Sequence, residues 1–213
     1  MPNQNKAAGR MPALPAGRCA PDESWRLFIA IELPSSVRRS VEDHINQLRQ
    51  AVPKARASWI REENLHLTIK FLGDTPVTNV EALSQAIQRA GRQVSPFELV
   101  IGGCGTFPSR GQPRVLWIGT EDPTNNQTKL QRALEDECES AGFPRAARPF
   151  HPHLTIARLR QPLGARRLGE LHQEIGFDPV SVNIRDVCLI RSELRSEGSR
   201  YTVISRHGLG LAK

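Results

Sequence analysis

No stretch of the chain approaches the roughly 18–20 uninterrupted apolar residues that a membrane span needs. The opening residues also lack the apolar central segment of a secretory signal. Cysteine is scarce, and Cys19, Cys104, Cys138 and Cys188 are too scattered for a zinc site or a disulfide-stapled secreted domain. These absences point to a soluble, cytoplasmic protein with buried free thiols. What is present suffices for an ordinary core. With 38% hydrophobic and 24% charged residues in 213, the chain fits one large domain or two closely packed lobes, not several independent units.

The charge balance is basic, 29 Lys and Arg against 22 Asp and Glu, for a net +7. Such an excess favours an anionic partner without separating nucleic acid from a phosphorylated small molecule or a membrane surface, and solubility alone accounts for it equally well. Arginine supplies most of it, and its planar fork suits phosphate oxygens.

Residues 1–24, rich in Pro, Ala, Gly and charge, read as a flexible tail, and residues 25–213 as a single bilobal domain. Leu27–Ile31 predicts a buried strand, followed by a helix opened by Ser35 or Ser36 with Val37, Val41, Ile45 and Leu48 inward. Leu65–Phe71 alternates as a strand. Thr78 and Glu81 suggest a capping box for a helix carrying Val80, Leu83 and Ile87. Strands are expected at Phe97–Ile101 and Val115–Ile118, joined by an irregular Gly- and Pro-rich loop. Thr124 and Gln127 then cap a helix ending near Gly142. A strand at His153–Ile156, a helix around Leu168–Ile175 and strands at Val182–Ile190 and Tyr201–Ser205 complete the pattern. The two halves share a rhythm, which implies an α+β fold. It has two pseudo-symmetric lobes, each an antiparallel sheet with helices on its outer face, and a cleft between them.

A repeated motif marks the duplication. Residues 65–69 read Leu-His-Leu-Thr-Ile, and residues 152–156 read Pro-His-Leu-Thr-Ile. Six histidines and nine threonines predict roughly a quarter of one His-x-Thr by chance, so two copies at equivalent points carry weight. On a strand, residues two apart face the same way. Leu65, Leu67, Ile69 and Phe71 are therefore expected in the core, with His66, Thr68 and Lys70 facing out; His153 and Thr155 share a face in the second copy. Packed about a twofold axis, two imidazoles and two hydroxyls meet in one cleft. One neutral and one protonated imidazole around a phosphate form an acid–base pair for phosphodiester cleavage, and hydroxyls and a cation hold the non-bridging oxygens. Such chemistry needs no metal or other cofactor.

With these motifs the chain resembles the 2H phosphoesterases, and among them the bacterial and archaeal RNA 2′,3′-cyclic phosphodiesterases, first called 2′-5′ RNA ligases. The resemblance runs from Trp25 to Leu209, through RLFIAIELP, ENLHLTIKFLG, GTFPSRGQPRVLWIG, RPFHPHLTIARLR and LIRSELRSEGSRYTVI. It implies that His66 donates a proton, that His153 accepts one, and that Thr68, Thr155 and Arg158 bind the phosphate. Arg158 has the wrong parity for an ideal strand and needs a bulge to reach that face. The implied reaction opens a terminal RNA 2′,3′-cyclic phosphate to a 2′-phosphomonoester, with 2′-5′ ligation as its reverse. The alternatives are a phosphodiesterase acting on a 2′-5′ oligonucleotide or cyclic nucleotide, and a non-catalytic RNA-binding module.

Further candidates surround the motifs. Phe150 and Tyr201 suit base stacking, whereas Trp117 in its apolar strand reads as core. His151 is a rim residue or RNA contact; with His153 it supplies half a metal site, but no nearby carboxylate or thiolate completes one. Lys70 either reaches the phosphate or is a solvated edge residue. Arg110, Arg114, Arg145 and Arg148 form a basic funnel for an RNA backbone. His44, His172 and His207 carry no assigned function. No apolar stripe demands an obligate partner, so a monomer is expected.

Overall fold

The computed structural model describes residues 23–196 and 198–210. Most of the expected tail, including Cys19, lies outside the described residues, and Ser24 already opens the first strand. In chain order the elements are β1 (Ser24–Glu32), α1 (Ser35–Ala51), β2 (Ala57–Trp59), β3 (His66–Pro76), α2 (Val80–Arg92), β4 (Phe97–Phe107), β5 (Val115–Glu121), α3 (Asn126–Ser140), β6 (His153–Leu159), α4 (Ala165–Ile175), β7 (Val180–Ile184), β8 (Asp186–Arg195) and β9 (Gly198–Gly208). No helix among the described residues is long and apolar enough to cross a membrane.

The strands form two antiparallel sheets, one in the order β3-β1-β8-β9 and the other β2-β6-β5-β4-β7. The motif strands β3 and β6 hold matching places, each beside the strand (β1 or β5) that leads through a helix into it. The fold is α+β and pseudo-symmetric as expected, but the sheets do not coincide with the halves of the chain. β4 and β5, from the first half, build the second sheet, and the closing hairpin β8–β9 completes the first. The helices cross over too: α2 and α3 pack together on the first sheet, and α1 packs against α4, which covers β4 of the second.

One large core runs through both lobes. Val37, Val41, Ile45 and Leu48 of α1 and Leu83, Ile87 and Ala90 of α2 are buried at helical spacing, and Leu27, Ile29 and Ile31 of β1 join them from one face of the first sheet. The other face of that sheet carries a small separate cluster of Phe28, Ala30, Cys188 and Ile190, with Tyr201 packed on it. Cys104, Cys138 and Cys188 are free thiols. Burial pushes them up to about 12, 11 and 12, respectively, so they act as apolar filler and not as nucleophiles.

Four local expectations are corrected. β4 does not stop at Ile101: Gly103, at φ 70°, makes a bulge, and the strand continues to Phe107 through residues read as irregular loop. Gly105 within it lies under Trp117, where a Cβ would come 2.1 Å from a ring carbon. The expected strand Val182–Ile190 is two strands in different sheets, divided at Arg185, where buried positions switch from Val182 and Ile184 to Val187 and Leu189. The α3 cap is Asp122, whose carboxylate accepts the Gln127 N–H at 2.6 Å and the Thr124 N–H at 2.9 Å. The Thr78–Glu81 capping box is absent, because Val77–Asn79 forms a tighter helical turn ahead of α2.

Candidate active site

His66 opens β3 and His153 opens β6, strands of different sheets that approach each other with Cα–Cα distances within 8 Å. The chain itself ties them. β2 pairs with β6 until the Ile60 N–H reaches the Ile156 carbonyl at 2.9 Å, and one short helical turn at Glu62–Asn64 then delivers the backbone to His66.

Both imidazoles are held in the same way. Nδ1–H of His66 donates to the Asn64 carbonyl at 2.7 Å, and Nδ1–H of His153 donates to the His151 carbonyl at 2.7 Å. A carbonyl can only accept, so each neutral ring has its lone pair on Nε2. At His66 that lone pair meets the Thr68 hydroxyl at 3.1 Å. Aromatic rings support each imidazole from its own sheet: Phe28 and Tyr201 at centroid distances of 4.8 and 5.2 Å from His66, and Phe107 and Trp117 at 5.0 and 6.5 Å from His153.

The two electrostatic settings diverge. Burial is the largest influence on both and pulls each below the usual histidine value. At His66 the bond to Asn64 and the carboxylate of Glu32 oppose that pull. Glu32 faces His66 directly across the β1–β3 ladder, is held by Arg206, and accepts a weak bond from the Cys188 thiol at 3.7 Å. At His153 the bond to the His151 carbonyl opposes the pull, while the positive charge of Arg158 adds to it. The Glu32 carboxylate beside His66 and the Arg158 guanidinium beside His153 therefore pull the two rings in opposite directions, within a burial that lowers both.

A β-bulge in each motif strand sets what else reaches this face. In β6, Trp117 pairs with Thr155 and Leu116 with Ala157, so Ile156 is the extra residue. Ile156 and Ala157 are both buried, and Arg158 turns onto the face of His153 and Thr155, which resolves its parity. The same bulge occurs in β3, where Ala30 pairs with Thr68 and Ile29 with Lys70, leaving Ile69 as the extra residue. The consequence is a correction to the alternation read from sequence. Lys70 is buried, its ammonium 2.6 Å from Glu135 and 2.8 Å from the Pro144 carbonyl, and is removed from any RNA surface. Phe71 leaves the core and stands 72% exposed on the face of His66.

The remaining candidates divide. Tyr201 lies on the His66 face, edge-on to Phe28 and to the imidazole. Trp117, read as core, is half-buried on the His153 face. Phe150 is half-buried and packs against the main core. His151 is exposed and contributes through its backbone carbonyl. Arg145 is tied to Asp136 and Glu139 of α3, away from the role expected of it. Arg114 and Arg160 line an open groove of about 870 Å³ beside Pro108 and Leu159, at the far end of β6. Sequence reading missed Glu32, Phe28, Phe71 and Phe107. Only the first strand's pairing with β3 singles out Glu32 and Phe28, and that pairing is not written in local pattern.

One group among the described residues has donors close enough to share a metal ion: His44, Cys104 and His172, within 4.8 Å of one another. It sits on the helix side of the second sheet. Its histidines already bond to each other at 2.9 Å, and His172 Nε2–H donates to the Trp117 carbonyl at 2.9 Å. Burial and the neighbouring His172 push His44 down to about 4, so the pair is neutral and serves as a polar clasp between α1 and α4.

Comparison with known proteins places the chain in a family. A sequence model of the 2′-5′ RNA ligase superfamily matches residues 37–195. The RNA 2′,3′-cyclic phosphodiesterase of Methanothermobacter thermautotrophicus is 34% identical over 180 residues, covering 83% of this chain and 95% of that one. The crystal structure of TT0787 of Thermus thermophilus superposes with a TM-score of 0.70 at 28% identity, covering 86% of this chain and 97% of the other. Escherichia coli LigT in complex with 3′-AMP superposes with a TM-score of 0.66 at 28% identity, covering 88% and 99%.

Proposed function

The chain belongs to the 2′-5′ RNA ligase superfamily, and from that membership we propose that it is an RNA 2′,3′-cyclic phosphodiesterase whose proton transfers are made by His66 and His153. The observation that carries the reading is the opposed setting of two identically anchored imidazoles: Glu32 beside His66, Arg158 beside His153. Environments that favour opposite protonation states are how an acid and a base are set apart within one site.

Water attacks the phosphorus of the terminal cyclic phosphate while the lone pair on His153 Nε2 takes its proton. The bond from phosphorus to the ribose 3′ oxygen breaks, and His66, protonated on Nε2, delivers the proton that oxygen needs. The product is a 2′-phosphomonoester and a free 3′-hydroxyl. Protonation of His66 also frees the Thr68 hydroxyl from the bond it makes to Nε2, so that Thr68 and Thr155 can donate to the non-bridging oxygens. Arg158, turned inward by its bulge, offsets the charge that builds on them. With the 5′-hydroxyl of a second strand in place of water, the same opening of the cyclic phosphate forms a 2′-5′ phosphodiester while the bond from phosphorus to the 3′ oxygen breaks. Both relatives named for an activity or a nucleotide ligand, the M. thermautotrophicus phosphodiesterase and the E. coli complex with 3′-AMP, are consistent with a nucleotide phosphate as substrate.

The deciding assay incubates RNA ending in a 2′,3′-cyclic phosphate with the protein in excess EDTA and resolves the products. Conversion to a 2′-phosphate end is expected. Binding without turnover would leave an RNA-binding module, and activity abolished by EDTA would transfer the chemistry to a metal.

A further inference from the structure

The two imidazoles are anchored alike, but the anchors themselves are held differently. In the second motif the anchoring carbonyl belongs to His151, and Pro152 stands between it and His153. The proline ring fixes φ and so stiffens that link covalently. In the first motif Leu65 takes the place of Pro152, and the carbonyl belongs to Asn64, the last residue of the helical turn Glu62–Asn64. Two bonds close this turn, from the Asn64 N–H to the Arg61 carbonyl at 2.9 Å and from the Leu65 N–H to the Glu62 carbonyl at 3.1 Å. So short a helix has little stability of its own. Its last residue needs support from outside.

The closing hairpin supplies it. β8 pairs with β1 as far as Ser192, opposite Arg26, at the end of β1 remote from Glu32 and its partner His66. Past that point Glu193–Arg195 and Gly198–Arg200 run on as a two-stranded arm. Yet this arm meets the segment leading into His66 at three successive places. A Cβ on Gly198 would come 3.9 Å from the Arg61 guanidinium, the Asn64 amide donates to the Ser199 carbonyl at 2.9 Å, and Tyr201 stands edge-on to the His66 ring at 5.2 Å. The arm therefore bends back over the face of its own sheet. Asn64 works from both ends, its backbone carbonyl taking the Nδ1–H of His66 and its side chain gripping the arm whose Tyr201 leans on the same ring.

We propose that Asn64 is a positioning residue for the proton donor: its amide clips the arm to the turn, and so holds the carbonyl that aims His66 Nε2 at the departing oxygen. This deepens the phosphodiesterase reading and rests on it. Asn64 acts through His66, so its loss bears on the chemical step and not on substrate affinity. Once the carbonyl drifts, the neutral ring has no partner to keep its proton on Nδ1, and both tautomers become populated.

The test reads the imidazole directly. Nitrogen NMR of the full-length protein, at a pH where both rings are neutral, distinguishes the tautomers of His66 and His153. Both are expected as the Nδ1–H form in the wild type. Asn64→Ala, and Asn64→Asp, which keeps the shape of the side chain without its donor, should turn His66 into a mixture and leave His153 as it was. Asn64→Gln, which retains an amide, should restore most of the wild-type signal. On RNA ending in a cyclic phosphate, the Ala and Asp variants should lose roughly ten- to a hundredfold in kcat, as a displaced proton-transfer group does, with KM unchanged. The Asp variant carries the test if Asn64→Ala does not fold. A His66 tautomer that stays pure in both variants, a loss carried by KM in place of kcat, or a Gln variant no better than Ala overturns the proposal. A wild type that leaves cyclic phosphate ends intact would count against the activity, whereas an unmoved tautomer in a protein that does cleave would count only against Asn64.

Discussion

At the scale of single residues, the proposed activity turns on two imidazoles made different by their neighbours. Replacing either His66 or His153 with Ala should lower turnover by roughly 10²–10⁴-fold, the usual worth of a positioned proton-transfer group, with the fold unchanged by circular dichroism. Near wild-type rates in either variant would remove that residue from the mechanism. Both histidines titrate below their ordinary value, and the productive form has His66 protonated and His153 neutral. The plot of kcat/KM against pH should therefore be a bell centred on the acid side of the ordinary histidine pKa, roughly 6.5. Glu32 raises the His66 value, so Glu32→Gln should move the alkaline limb to lower pH and leave the acid limb in place. An alkaline limb that stays put would show that Glu32 does not tune His66.

Strands and helices were legible where a single period governs them and illegible where the backbone interrupts it. The four apolar positions of α1 announce the helix by spacing alone. The strand alternation at His66-Leu67-Thr68 is just as plain, yet it fails two residues later, because one bulge reverses every side chain after it. Arg158 held the clue. Its parity demands a bulge in β6, and a repeated motif brings the same bulge to β3, which is enough to turn Lys70 inward and Phe71 outward. Burial makes Lys70 a sensitive probe of that arrangement. Lys70→Ala leaves the buried Glu135 carboxylate without its ion-pair partner, at a cost of about 3–5 kcal/mol. Lys70→Met combined with Glu135→Gln removes both charges while the amide oxygen can still accept the Ala146 N–H, and should recover most of the loss. Denaturant midpoints measure both effects, and a single variant as stable as the wild type would contradict the pairing.

For the whole molecule, sequence supplied the duplication but not the exchange between its halves. Nothing in the run Val182–Ile190 says that its two parts serve different sheets, since partner choice depends on contacts far away along the chain. The same distance effect joins His44 of α1 to His172 of α4, residues that carry no motif. Folding holds His44 near 4, below the value of roughly 6.5 expected in the unfolded chain. The unfolded chain therefore takes up the proton first, and the clasp's contribution is complete above pH 6.5 and drains away as the pH falls towards 4. The melting temperature should fall across that window, and His44→Leu should flatten the fall. An unchanged pH dependence would place acid sensitivity elsewhere.

The first sheet takes its inner strands from opposite ends of the polypeptide, Phe28 beside Ile190. On the ribosome, β1 and β3 emerge early and stay without their C-terminal neighbours until nearly all of the chain has been made. The second sheet, by contrast, is complete once β7 has appeared. Tyr201 comes later still, so the floor under His66 is laid last. A nascent chain stalled before Asp186 should accordingly hold a formed His153 side and an unfinished His66 side, a hydrolase silent until its release.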